Sequence, residues 1–231
     1  MTRFLRDALN SYLMGRASER IREMPLMYNE NQSYIHYNKG SLVMYTLSEL
    51  MGEEKFNAFL AEYIQKNAFQ NPPYTTSMAF VDDLQIVLPD SLDYLITDLF
   101  RRVTLYDNRV DAVELTRSDS NQFVLDVNFT VRKFHNDSKG KRIYEDDQGH
   151  TLVSQADDDR KTYSLPLADY IDIAVVGEDD HEPFLYKERM RVTEINNRLQ
   201  IRLDRKPAAV IVDPYSMLLD AAPDDNRKRI P

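Results

Sequence analysis

The chain has 231 residues, a formal net charge of -9 and 42% hydrophobic residues. That length and apolar content allow one large domain or two small ones and exclude wholesale disorder. With 29 Lys and Arg against 38 Asp and Glu there is no cationic excess for a nucleic acid, and with no cysteine there is no disulfide, thiol nucleophile or Cys-held zinc.

Residues 3 to about 103 carry helical spacing. Phe4, Leu5, Ala8, Leu9, Tyr12 and Leu13 form a first stripe that Gly15 is expected to close. An acid at Asp7 and the lack of an apolar h-region argue against a signal peptide, and the run reads as a chain entered mid-helix. A second helix is expected from Tyr37 to Met51, with Leu42, Val43, Tyr45, Thr46, Leu47 and Leu50 near its buried face and Gly52 as its stop. Glu53 and Glu54 suit the first turn of a third helix, whose stripe is Phe56, Phe59, Leu60, Tyr63 and Ile64. After the break at Asn71-Pro72-Pro73, Thr76 or Ser77 caps a fourth helix with Phe80, Leu84 and Val87. Pro89 opens a fifth with Leu92, Leu95, Ile96 and Leu99.

Beyond Asp107 the period changes to two. Phe123, Leu125, Val127, Phe129 and Val131 alternate with more polar residues, as a half-buried strand does. Residues 110–115, 163–167, 170–176, 184–192, 199–203 and 208–212 are further strand candidates, with Asn196-Asn197 and Glu178-Asp179-Asp180 as turns. The expected fold class is therefore α+β: an α-helical region over residues 1–105, then an antiparallel, immunoglobulin-like β-sandwich with a C-terminal tail over 106–231. Asp146, Asp147, Asp157, Asp158 and Asp159 fit an exposed loop between strands. The longest apolar runs, Ile173 to Val176 and Ala208 to Val212, are far short of the roughly 20 residues of a membrane span, so this chain is expected to be soluble.

Several patterns imitate sites. His181-Glu182-Pro183-Phe184-Leu185 starts like the zinc signature H-E-x-x-H, but the second His is missing and Pro183 breaks the helix it needs. His36, His135, His150 and His181 show no ligand spacing, so no zinc site and no other cofactor is expected within the chain. Asp157-Asp158-Asp159 lacks the Gly and the Glu of a calcium loop. The tripeptides at Asn128 and Asn136 match a glycosylation sequon and carry no weight. There is no Gly-rich phosphate loop and no Gly-x-Ser-x-Gly elbow.

One stretch carries a resemblance. Tyr34-Ile35-His36-Tyr37-Asn38-Lys39-Gly40-Ser41-Leu42, followed by Leu47, Leu50 and Gly52-Glu53-Glu54-Lys55-Phe56, resembles the aminopeptidase N family of zinc metallopeptidases. The matching positions are Tyr37, Lys39 and Gly40 of a Tyr-x-Lys-Gly, then Gly52, Glu53 and Phe56. A narrower likeness lies in Val212-Asp213-Pro214-Tyr215, Leu218-Leu219-Asp220 and Asp224-Asp225-Asn226, which looks like the tail of bacterial members fused behind a transporter permease. The resemblance implies a gluzincin-like catalytic domain of which residues 1–105 are the helical end. It also implies zinc held by an H-E-x-x-H and a Glu upstream of the Tyr motif, neither of which is in this chain. The chain is then expected to be a C-terminal portion of a zinc aminopeptidase, inactive alone. Its partners would be the zinc-bearing upstream segment and, in a parent that is itself membrane-anchored, a peptide substrate. Phe4, Leu5, Leu26, Met27 and Tyr37 are expected to form an uncovered apolar face able to self-associate.

The resemblance makes Tyr37 the candidate catalytic residue. A phenol with a pKa of about 10 stays protonated near neutrality and can donate to the oxyanion of a tetrahedral intermediate, a contribution of about 3 kcal/mol. Chemistry alone does not separate Tyr37 from Tyr34, Tyr45 or Tyr63 as a core aromatic. Tyr34 is the alternative, and Lys39 and Gly40 are expected to be structural. The rival readings are a non-catalytic module that docks a protein partner and a carbohydrate- or calcium-binding sandwich that uses the acidic loop.

Overall fold

The computed structural model describes residues 2–118, 122–137, 140–145, 151–153, 164–178 and 184–230. The architecture is α+β, with helices first and antiparallel sheets after them. The chain divides into two compact units. One is Arg3–Thr104 with His135–Lys141; the other is chiefly Leu105–Phe134 and Arg142–Pro231.

In the helical unit α1 spans Thr2–Ser18 and buries Leu5, Leu9 and Tyr12. It does not stop at Gly15. A Cβ on Gly15 would sit 2.4 Å from Tyr34 Cβ, so this glycine is where a neighbouring segment crosses the helix. Tyr34–Lys39 is a π-helical turn that runs without a break into α2, Gly40–Met51. α2 buries Leu42, Val43, Thr46 and Leu47, while Tyr45 and Leu50 are half-buried. Gly52, at φ +91°, ends it, a conformation that favours glycine. α3, Glu53–Asn67, buries Phe56 and Phe59 but leaves Ile64 exposed. α4, Ser77–Val87, is capped by Thr76, whose Oγ1 accepts from Ala79 N at 3.2 Å. Its buried residues are Val81 and Leu84, and Val87 faces solvent. Beyond Pro89 the expected single helix is instead a 3-10 turn, Asp90–Leu92, and a second π-helical turn, Ile96–Arg101. Three stripe residues are exposed: Phe4 near the start of α1, and Ile64 and Val87 near the ends of α3 and α4, so all three lie close to a helix terminus.

The other unit is a sandwich. β1 (Thr104–Arg117), β2 (Phe123–Asn136), β3 (Arg142–Glu145) and β4 (Thr151–Val153) follow in order, and β7 (Asn196–Leu203) also pairs with β2. The second sheet is ordered β6 (Tyr186–Val192), β5 (Asp169–Val176), β8 (Ala209–Val212), β9 (Arg227–Arg229). Leu125, Val127 and Phe129 from one sheet and Ile171, Ile173 and Val210 from the other share one core. Three expectations change. Residues 164–168 form no strand, because the chain there crosses by single bonds, such as Leu165 N to Lys133 O at 2.7 Å. Asn196-Asn197 is not a turn but the start of β7, opposite Thr130 and Phe129, with the bend one step earlier at Glu194-Ile195. β3, β4 and β9 are strands of three or four residues, too short to show alternation. The acidic positions 146, 147 and 157–159, with Ser138, His150, Asp179, Asp180 and His181-Glu182-Pro183, lie outside the described residues.

Candidate functional site

Tyr37 is on the outer side of the first π-helical turn and 71% exposed. It stands on the rim of an apolar groove of about 440 Å³ whose lining includes Leu26, Met27, Met44, Phe80 and Phe100. Tyr37, Ser41 and Met44 line it together because residues four and seven apart share one helix face. Both π-helical turns contribute, the first through His36 and Tyr37 and the second through Phe100. Such turns occur often at functional sites. Phe80 packs edge-on against Phe59 and Tyr63 with ring centres 5.3 and 5.0 Å away, and Ser77 Oγ donates to Met27 O at 2.6 Å. No Asp, Glu, Lys or Arg is among the described lining residues.

His36 lies beside Tyr37, ring centres 4.4 Å apart. Asn29 Nδ2 donates to its Nδ1 at 3.1 Å, which leaves the proton of the neutral ring on Nε2. The alternative donor, Tyr34, is turned inward. It is buried, it stacks on Tyr12 with ring centres 6.0 Å apart, and burial followed by the charge of Glu23 pushes its phenol up to about 12.

Lys39 is the residue whose position could not be read ahead. It is fully buried, and its Nζ has no hydrogen-bond partner among the described residues. It lies 5.8 Å from the centre of the Tyr12 ring. Desolvation lowers it to about 8, opposed by Glu23 and helped by Arg16. Gly40 has room for a Cβ, the nearest atoms being Ile35 O at 3.7 Å and Leu26 Cδ1 at 4.0 Å, so nothing within this unit requires glycine there. Of the expected apolar face, Phe4 and Tyr37 are exposed and Leu26 is half-buried, whereas Leu5 and Met27 are buried. Leu5 sits on the inner stripe of α1, and Met27 lies in a 3-10 turn, Leu26–Tyr28, packed against α4 and the second π-helical turn.

Comparison with known proteins addresses the same stretch. The sequence pattern of the Peptidase family M1 domain matches residues 6–98. Residues 6–98 are similar to the aminopeptidase N family. Aminopeptidase N of Bos taurus is 32% identical over 114 residues, which is 47% of this chain and 12% of the bovine protein. The matched segment thus includes Tyr37, the first π-helical turn and all of the named groove lining but Phe100, and it ends within the second π-helical turn, while the sandwich lies beyond it. Among the described residues no group of three or more His, Cys, Asp or Glu could hold a metal ion. His36 is engaged by Asn29, and His135 lies 3.7 Å from Asp98. No described helix is long and apolar enough to cross a membrane.

Proposed function

We propose that the helical unit is the part of a zinc aminopeptidase catalytic domain that supplies Tyr37 as hydrogen-bond donor to the anionic oxygen formed when a peptide carbonyl is attacked. The observation that carries this is the position of Tyr37. It is the one tyrosine of the Tyr34-Ile35-His36-Tyr37 run whose ring is directed outward, within the matched segment and at the rim of an apolar groove. A phenol donor costs no deprotonation near neutrality and is aimed before charge develops. Removing one such donor typically costs a hundredfold or more in kcat.

Zinc would be held by a different segment, laid over the groove so that its substrate meets the Tyr37 hydroxyl. No chemistry is assigned to a metal held by this chain. An uncharged groove with small residues at Gly40 and Ser41 suits the apolar side of a packed helix. With no such segment bound, the same face would favour self-association of the helical unit. The tail likeness supports the narrower reading of a bacterial, permease-linked branch in which a sandwich follows the peptidase domain.

The test is aminoacyl-anilide hydrolysis by the native polypeptide that contains this stretch. Hydrolysis that Tyr37→Phe reduces about a hundredfold supports the reading. A polypeptide with no H-E-x-x-H and no hydrolysis favours the protein-docking module instead.

A further inference from the structure

β1 ends its sheet, so among the described residues one side of its backbone has no strand partner. That side is nevertheless occupied. The amides of Tyr106, Asn108 and Val110, alternate residues along one edge, donate to Leu219 O at 2.9 Å, Asp220 Oδ2 at 2.9 Å and Asp225 O at 3.2 Å. Ala221 N returns a bond to Tyr106 O at 2.8 Å. The segment between β8 and β9 therefore copies a neighbouring strand, but at the middle position a carboxyl oxygen stands where a strand would present a main-chain carbonyl. The other oxygen of that carboxyl, Oδ1, accepts from Ala222 N at 2.8 Å, and Asn226 hydrogen-bonds the group through its side chain. The segment's first turn is closed by Asp213, which accepts from Met217 N and Leu218 N at 2.9 Å each.

We propose that residues 213–226 form a pH-sensitive strap on the free edge of β1, caught by the Asp220 carboxyl. A carbonyl in that place cannot titrate; a carboxyl can. Asp220 is fully buried, and burial pushes it up to about 7 against the donors Ala222 N, Asn108 N and Asn226. The charged groups around it do not relieve this. Asp107 on β1 is a like charge, itself 3.3 Å from Arg142 on β3. Asp225 is raised by burial and then by Asp107, with Arg109 opposing, while Arg109 is tied to Asp111 at 2.7 Å. Asp224 adds a further negative charge beside Asp225. The Asn108 side chain is buried, and neither end of its amide has a hydrogen-bond partner among the described residues. Because the folded value lies above the ordinary carboxylate value of about 4, the contribution of Asp220 is complete in acid and lost as pH rises through about 7. Opening the strap would strip three adjacent amide donors on a long edge strand of their acceptors, an edge able to pair with another chain.

Amide hydrogen exchange on the whole chain tests this, read as protection factors so that the intrinsic pH effect is removed. The expected result is that protection of Tyr106, Asn108 and Ala221 falls about tenfold or more between about pH 5 and pH 8, one pH unit of linkage being a factor of ten, while Ile173 and Val175 in β5 hold theirs. In Asp220→Asn the strap amides should be less protected throughout and flat with pH, since one face of the amide cannot accept. Flat protection in the unaltered chain, or the same fall in Asp220→Asn, overturns the proposal. Should that variant fail to fold, the side-chain carboxyl 13C shift of Asp220 in the unaltered chain decides: a midpoint near 7 supports the strap, and one near the ordinary value of about 4 overturns it.

Discussion

The Tyr12 hydroxyl donates to Glu23 Oε1 at 2.6 Å, and both residues are buried. Arg16 Nε takes the other carboxylate oxygen at 2.5 Å. Burial first, then the charge of Glu23, raises the Tyr12 phenol well above its ordinary value, so it remains a donor. This triangle ties α1 to the chain that leads into the Tyr37 turn, and Lys39 lies over its tyrosine ring. Glu23→Gln removes the charge that Arg16 needs. It should cost about 3 kcal/mol, seen as a lower urea midpoint at constant m.

Lys39→Met should stabilise the chain at neutral pH. Lys39 is lowered to about 8 in the fold, so between that value and its unfolded value of about 10.5 the unfolded state binds the extra proton. Stability of the unaltered chain therefore rises with pH across that window and is lowest below it. The variant should be more stable by about 3 kcal/mol at pH 7, and the difference should vanish above about pH 10.5. Urea titrations at three pH values check this.

Gly15→Ala should destabilise although alanine is the better helix former. The intrinsic preference favours it by about 1 kcal/mol, but the new Cβ overlaps Tyr34 Cβ and Cγ, main-turn atoms with little freedom to move. A net loss of about 2 kcal/mol is expected, with a change in the fluorescence of the Tyr12 and Tyr34 pair.

In the sandwich, Lys133 Nζ lies 3.0 Å from Asp169 Oδ2, and Tyr106 OH donates to Oδ1 at 2.6 Å. Both charged groups are buried. Lys133→Met leaves the Asp169 carboxylate with neutral donors only and should cost about 3 kcal/mol; the pair Lys133→Met with Asp169→Asn should recover part of it.

Much of this was legible because it is local or periodic. The inward face of β2 and the stripe of α2 follow from spacing alone, whereas the cap of α4 was narrowed only to Thr76 or Ser77, and it is Thr76. Gly15 was misread because a helix stop and a helix crossing both call for glycine, and only the position of Tyr34 separates them. Lys39 was not legible at all, since lysine is ordinarily solvated and nothing near it in sequence signals burial. The groove joins Leu26, Tyr37, Phe80 and Phe100, residues brought together by tertiary packing rather than by any spacing. The strap residue Asp220 acts on Asn108 from 112 positions away. Tyr37 itself was singled out by family resemblance, and its chemistry alone did not distinguish it from Tyr34.

Steady-state hydrolysis of an aminoacyl anilide by the native zinc-loaded polypeptide, unaltered and Tyr37→Phe, tests the central claim most directly. Tyr37 is largely exposed, so the substitution should leave the thermal midpoint unchanged. The account predicts a fall in kcat of about a hundredfold or more with KM little altered, because the lost bond forms only as charge develops on the oxygen. An unchanged kcat in Tyr37→Phe, with the fall appearing in Tyr34→Phe instead, would contradict it.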